Sequence, residues 1–175
     1  KRLRQVHRIK PCPDVGVDQV PHVGLVGLQI EGLAAGLADD FANVQVVAEI
    51  LLDHAMAISQ DPKKEIVIIA GHGPSSAEDN AEELRVLSGL ARIVKQDGGF
   101  ADVRGMTLQD DAPPEIREAN VAKMREVVEA AAKKGQRVLV VTNLIGARTI
   151  QAKLRSDLKG LTYEFNPKGL VNHPN

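Results

Sequence analysis

Aromatic residues are almost missing from this chain: there is no Trp, one Tyr and three Phe, 2% of 175 positions. The core must therefore rest on Val, Ile, Leu and Ala, and the stacking platforms used to bind single-stranded nucleic acid are lacking. An excess of either charge is missing too. The formal net charge is −1, which removes the global electrostatic case for nucleic acid or an anionic membrane as partner. A single cysteine, Cys12, excludes an internal disulfide and a cysteine-rich metal site, and suits a reducing cytoplasm. Val23–Ala38 is apolar and glycine-rich, but too short for a membrane span and interrupted by Glu31. Lys1–Lys10 is basic with no apolar core directly after it, so no signal peptide is expected. GxGxxG, Walker, HExxH and GxSxG signatures are all absent, which leaves nucleotide binding without specific support.

What is there is ordinary for a soluble globular protein, 43% apolar and 26% charged. The length suggests one domain, or one plus a fragment. No initiator Met is present and the chain stops in a turn-like Asn172-His173-Pro174-Asn175, so we expect part of a longer protein. No internal repeat or low-complexity segment stands out. Residues 1–43 read unlike the rest. Arg2, Arg4, Arg8 and Lys10 make a basic start, and Pro11, Pro13 and Pro21 prevent regular structure after it. Gly24, Gly27, Gly32 and Gly36 then punctuate an apolar stretch without a clear period. The basic start reads as a solvated tail rather than a nucleic-acid arm, and the segment stays unassigned. Residues 44–175 read as one α/β domain.

Val44–Gln60 has helical spacing, with Val44, Val47, Ala48, Leu51, Ala55 and Ile58 on one face, Asn43 as cap, and His54 on the polar side. Ile66–Ala70 is an unbroken β-branched run, the mark of a strand buried on both faces of a parallel sheet. Ser75 and Glu78 fit a capping box for a helix over Ala77–Lys95, closed by Gly98-Gly99, with Ala81, Leu84, Leu87, Ala91 and Val94 inward. Ala101–Leu108 is a second strand ending in Gln109-Asp110-Asp111. Pro113-Pro114 starts a helix that runs to about Lys134. Arg137–Val141 is a third strand followed by Thr142-Asn143, Gly146–Leu158 a short helix, and Leu161–Phe165 a fourth strand. Strands alternating with helices predict a three-layer α/β/α fold on a parallel sheet.

In such sheets ligands bind beyond the carboxyl ends of the strands. There the first strand runs into Gly71-His72-Gly73, a histidine between two glycines that permit a sharp turn. A neutral imidazole in that position can bind a borderline metal or accept a proton. Ser75, Ser76 and the helix amides could cradle an anion. The competing reading is a histidine that only hydrogen-bonds within its own turn. A phosphate-transfer reading, with His72 as nucleophile, calls for a nearby arginine, and none lies within ten residues on either side.

The runs IVIIAGHGPSSAEDN, VRGMTLQDDAPPEIR and RVLVVTNLIG resemble the CbiX-type family of sirohydrochlorin cobaltochelatases, class II chelatases that use no ATP. The resemblance covers about Val47 to Asn175, and Val47–Lys64 is similar to the linker helix before such a repeat in longer members. It implies a chelatase-like lobe that inserts Co²⁺, or in relatives Ni²⁺ or Fe²⁺, into a tetrapyrrole on the route to cobalamin, with no nucleotide. It assigns His72 as metal ligand and as acceptor of pyrrole protons. Arg104 and Arg148 become candidates to orient the carboxylate-rich substrate, with Asn143 at the third strand's end. Small members of the family carry a second histidine shortly after the strand matching Arg137–Val141. Here that stretch reads Leu144-Ile145-Gly146-Ala147-Arg148-Thr149-Ile150, without one. His173 is the other downstream histidine, and Asp110 and Asp111 could supply oxygen ligands. Since one ligand alone makes a poor metal site, two expectations stand. A second lobe or a homo-oligomer completes the cleft, or this is a degenerate lobe that binds metal or tetrapyrrole without turnover.

Overall fold

The computed structural model describes residues 43–146 and 148–172, with Arg148 and Asn172 described by their backbone alone. The expectations for the first 42 residues, for His173 and for the Arg148 side chain lie outside these. Helix α1 covers residues 43–56. It is followed by β1 (Glu65–Gly71), α2 (Ala77–Gly98), β2 (Asp102–Thr107), α3 (Pro114–Lys133), β3 (Arg137–Thr142), α4 (Arg148–Asp157) and β4 (Glu164–Phe165). The four strands form one sheet in the order β2-β1-β3-β4, and every pairing is parallel.

β1 lies at the centre because its seven residues are all buried and can face apolar side chains in both directions. Val67 and Ile69 point with Val103, Leu139 and Val141 into one apolar layer, against Ala48, Leu51 and Ala55 of α1 and Leu87, Leu90 and Val94 of α2. Ile66, Ile68 and Ala70 point the other way with Val138 and Val140, against Met124 and Val128 of α3 and Ile150 and Leu154 of α4. The period-two alternation of a strand thus feeds two separate cores. The result is the three-layer α/β/α fold expected from the alternation of elements. Close approach of α2 to the sheet depends on Gly105, where an added Cβ would come within 2.4 Å of the Leu87 Cβ. No described helix is long and apolar enough to cross a membrane.

Several local expectations are corrected. His54 is buried, at 3% exposure, not on a polar surface. Its position three residues after Leu51 turns it onto the buried face, and its backbone carbonyl accepts a 2.9 Å bond from Asn166 Nδ2. Asn43, read as the cap, is itself helical. The α2 cap is Ser76, not Ser75: its hydroxyl accepts from the Asp79 amide at 3.1 Å and donates to the Asp79 carboxylate at 2.6 Å. The helix starts at Ala77 as expected, but Asn80 is buried and Ala81, read as inward, is exposed. The fourth strand shrinks to two residues.

Candidate functional site

β1 delivers His72 to the carboxyl edge of the sheet, and two backbone bonds draw the neighbouring strand ends around it. The Leu108 amide donates to the Gly71 carbonyl at 3.2 Å, and the Asn143 amide donates to the Ala70 carbonyl at 2.9 Å. Gly73 makes the turn after His72 possible. Its φ is +77°, and a Cβ there would stand 2.8 Å from the Gln109 amide nitrogen and from the Thr107 Cβ. The β1–α2 and β2–α3 loops are therefore in direct contact.

Contact between the loops puts His72 beside Asp110 and Asp111, with one ligand atom from each of the three lying within 4.8 Å of the others. His72 Nδ1 is 3.2 Å from the Gly73 carbonyl. A carbonyl can only accept, so Nδ1 carries the proton in that bond, and the neutral ring keeps its lone pair on Nε2. Nε2 faces Asp111 Oδ2 at 3.5 Å. Two lone-pair donors at this separation repel unless a cation stands between them, either a proton on Nε2 or a metal ion. The His72 side chain is 37% exposed and that of Asp111 76%, so such a cation can reach the pair from solvent.

Asp110 is different in kind. Its carboxylate is 5% exposed, and both oxygens are occupied: Oδ1 accepts from Arg117 Nε at 2.9 Å and Oδ2 from Lys153 Nζ at 2.6 Å. Arg117 also donates two bonds to Asp157, at 2.7 and 3.3 Å, tying α3 to the end of α4. Burial pushes the Asp110 carboxyl up, but the hydrogen bonds from Lys153 and Arg117 and their charges outweigh it and hold the group below the usual range. The hydrogen bond to Asp110, and then that to Asp157, raises Arg117 in return. Asp110 is thus an anionic anchor, while Asp111 is the carboxylate with oxygens to offer.

Of the residues singled out in the sequence, His72 and Asn143 come together at the carboxyl edge. The buried Oδ1 of Asn143 has no hydrogen-bond partner among the described residues. Ser75 is exposed on the loop beyond His72, and the Ser76 hydroxyl is committed to Asp79. Arg104 is not brought to the site. It pairs in register with Ile68 in mid-strand, about 10 Å short of the strand end at 3.3 Å per residue, and donates to Asp102 at 2.9 Å. There it lines a groove of about 510 Å³ with Arg92 and Lys95 along the outer edge of β2. Arg148 opens α4. Sequence reasoning missed Arg117, Lys153 and Gln109. The first two are separated from Asp110 by 7 and 43 residues, and only a cation near the strand-end acids could have hinted at the first.

No protein-family model and no curated protein matches the chain. Among solved structures it is similar to SirB from Bacillus subtilis with Fe³⁺, with a TM-score of 0.56 and 16% sequence identity, over 74% of this chain and 48% of that one. The chain thus spans about half the length of the structure it matches. Likeness at this identity is likeness of fold: the β1–β4 sheet with helices on both faces is an architecture that SirB shares.

Proposed function

We propose that the chain is one lobe of a sirohydrochlorin chelatase, inserting a divalent metal ion into a tetrapyrrole, with Co²⁺ the leading substrate ion and Ni²⁺ or Fe²⁺ the alternatives. The observation that carries this reading is the His72 Nε2 facing the Asp111 carboxylate at 3.5 Å, on an open sheet edge. The half-length match to SirB supports a cleft completed by a second lobe or a second copy. So do the sequence runs around His72.

The chemistry asks for two things, a loosely held ion and a base. His72 Nε2 and an Asp111 oxygen offer two ligand atoms, leaving open positions for pyrrole nitrogens to displace water. As the ion enters the ring, two pyrrole N–H protons must leave. The imidazole and carboxylate accept them once the ion has moved off, and pass them to solvent. Lys153, with its side chain 47% exposed beside the site, suits the substrate carboxylates better than Arg104 does. Ile145 and Val171, 74% and 66% exposed, offer apolar contact next to Asn143 for a flat macrocycle.

A second reading, a lobe that binds metal or tetrapyrrole without turnover, is favoured by two observations. The stretch after β3 lacks a histidine, and Asp110 is already claimed by two cations. Anaerobic conversion of sirohydrochlorin by the purified chain, with each ion in turn and followed by absorbance, separates the two. We expect metallation above the uncatalysed rate, falling at least ~100-fold in His72→Ala. Tight Co²⁺ binding by a folded protein with no acceleration would leave the second reading standing.

A further inference from the structure

Gln109 has a backbone that its type rarely adopts. Its φ is +51°, the left-handed region that non-glycine residues avoid because Cβ crowds the following carbonyl. It is also 5% exposed. Such a residue persists only where its surroundings fix it, and they do so from both sides. Gln109 Nε2 donates to the Pro74 carbonyl at 2.9 Å, across 35 residues of sequence, and Oε1 accepts from Asn120 Nδ2 on α3 at 3.0 Å. The Gln109 carbonyl accepts from the Ala112 amide at 3.0 Å, closing the turn that carries Asp110 and Asp111. A Cβ on Gly73 would stand 2.9 Å from the Gln109 Cγ. One amide side chain therefore joins the loop bearing His72 to the loop bearing Asp111, and its left-handed backbone sets the direction in which the acidic pair leaves β2.

We propose that Gln109 is a positioning residue that fixes the separation of His72 and Asp111, and through it the ability of the pair to hold a divalent ion. Its consequence for metal rests on the chelatase reading; its effect on the geometry does not. Gln109 touches neither the imidazole nor the Asp111 carboxylate in any described hydrogen bond. It acts through the two loops it connects, as partners behind a metal ligand do.

The test uses the whole chain in two states. In the metal-free protein at fixed pH, the ring signals of His72 in a ¹H–¹³C spectrum report its contact with Asp111. Gln109→Leu, which keeps bulk and removes both side-chain bonds, should move them as Asp111→Asn does. It should add little in the double variant, because the contact is then already lost. Co²⁺ titration should show affinity lower by about tenfold in Gln109→Leu, again without additivity to Asp111→Asn. Ring signals that stay put in Gln109→Leu, or shifts that simply add in the double variant, would overturn the proposal. Should Gln109→Leu not fold, Asn120→Leu removes the support on Oε1 alone and decides it: a smaller shift in the same direction is expected, and none sinks the idea. A wild-type chain that takes up no Co²⁺ would defeat the chelatase reading, while the ring signals would still decide Gln109.

Discussion

Two carboxylates at opposite ends of the sheet, Glu65 and Asp111, are built for opposite purposes. At the amino end Glu65 is fully buried, and its oxygens are saturated: the Ser59 hydroxyl, the Gln60 amide at 2.9 Å and Arg137 all donate to it. Burial pushes the Glu65 carboxyl up, but the bond from Ser59, the backbone amides and the Arg137 charge more than offset this and leave it below its ordinary value of 4.5. At the carboxyl end Asp111 is largely exposed, and its oxygen faces His72 Nε2 at 3.5 Å. A saturated buried carboxylate stabilises a fold and can do little else. An exposed one short of a cation contributes almost nothing to stability and is available for chemistry.

The largest break in this contrast should come from Glu65→Leu. Removing one member of a buried pair costs about 3 kcal/mol, the low end of the usual range because Arg137 is 33% exposed. Urea unfolding should register that loss, and Co²⁺ affinity should not change; weakened Co²⁺ binding would mean that the two ends are coupled. Next, Asp111→Asn should weaken Co²⁺ binding by about tenfold, equivalent to about 1.4 kcal/mol, with unfolding stability unchanged. A stability loss as large as that of Glu65→Leu would erase the distinction.

Acid should act on Glu65 and on Asp110, both of which titrate low in the folded chain. Glu65 titrates lower in the folded than in the unfolded chain, so in acid the unfolded state binds more protons. The contribution of Glu65 is full above the unfolded value and drains away as pH falls through the folded one. Wild-type stability should therefore decline below about pH 4.5, and the decline should be shallower in Glu65→Leu; parallel curves would count against the cluster. The smallest effect is expected for Lys64→Ala, which breaks an exposed 3.0 Å pair with Asp61 beside the same cluster. A change above ~0.5 kcal/mol would show that charge, rather than burial, sets the value of that end.

Legibility followed the range of the interaction involved. Ile66–Ala70 announced a doubly buried strand through its own composition, and the glycines flanking His72 announced a turn. Both signals are local. The caps were nearly right: Ser76 and Asp79 carry the spacing read at Ser75 and Glu78, one residue along, because two adjacent serines offer the same motif twice. His54 was misjudged by its polarity, although its distance from Leu51 put it on the buried face. Arg104 was singled out for its charge; the fold places it in mid-strand, and nothing in the sequence of β2 says that it is an edge strand.

The sequence alone thus determined the order of strands and helices, the parallel three-layer architecture and the histidine at the end of the central strand. Those follow from hydrophobic period and turn chemistry within a few residues. Tertiary structure decided which acid meets His72, which acid is silenced by Arg117 and Lys153, and that a left-handed glutamine joins the two loops. These contacts link residues 7 to 43 positions apart, and each depends on the register and order of strands in the sheet. Local preference carries no information about either.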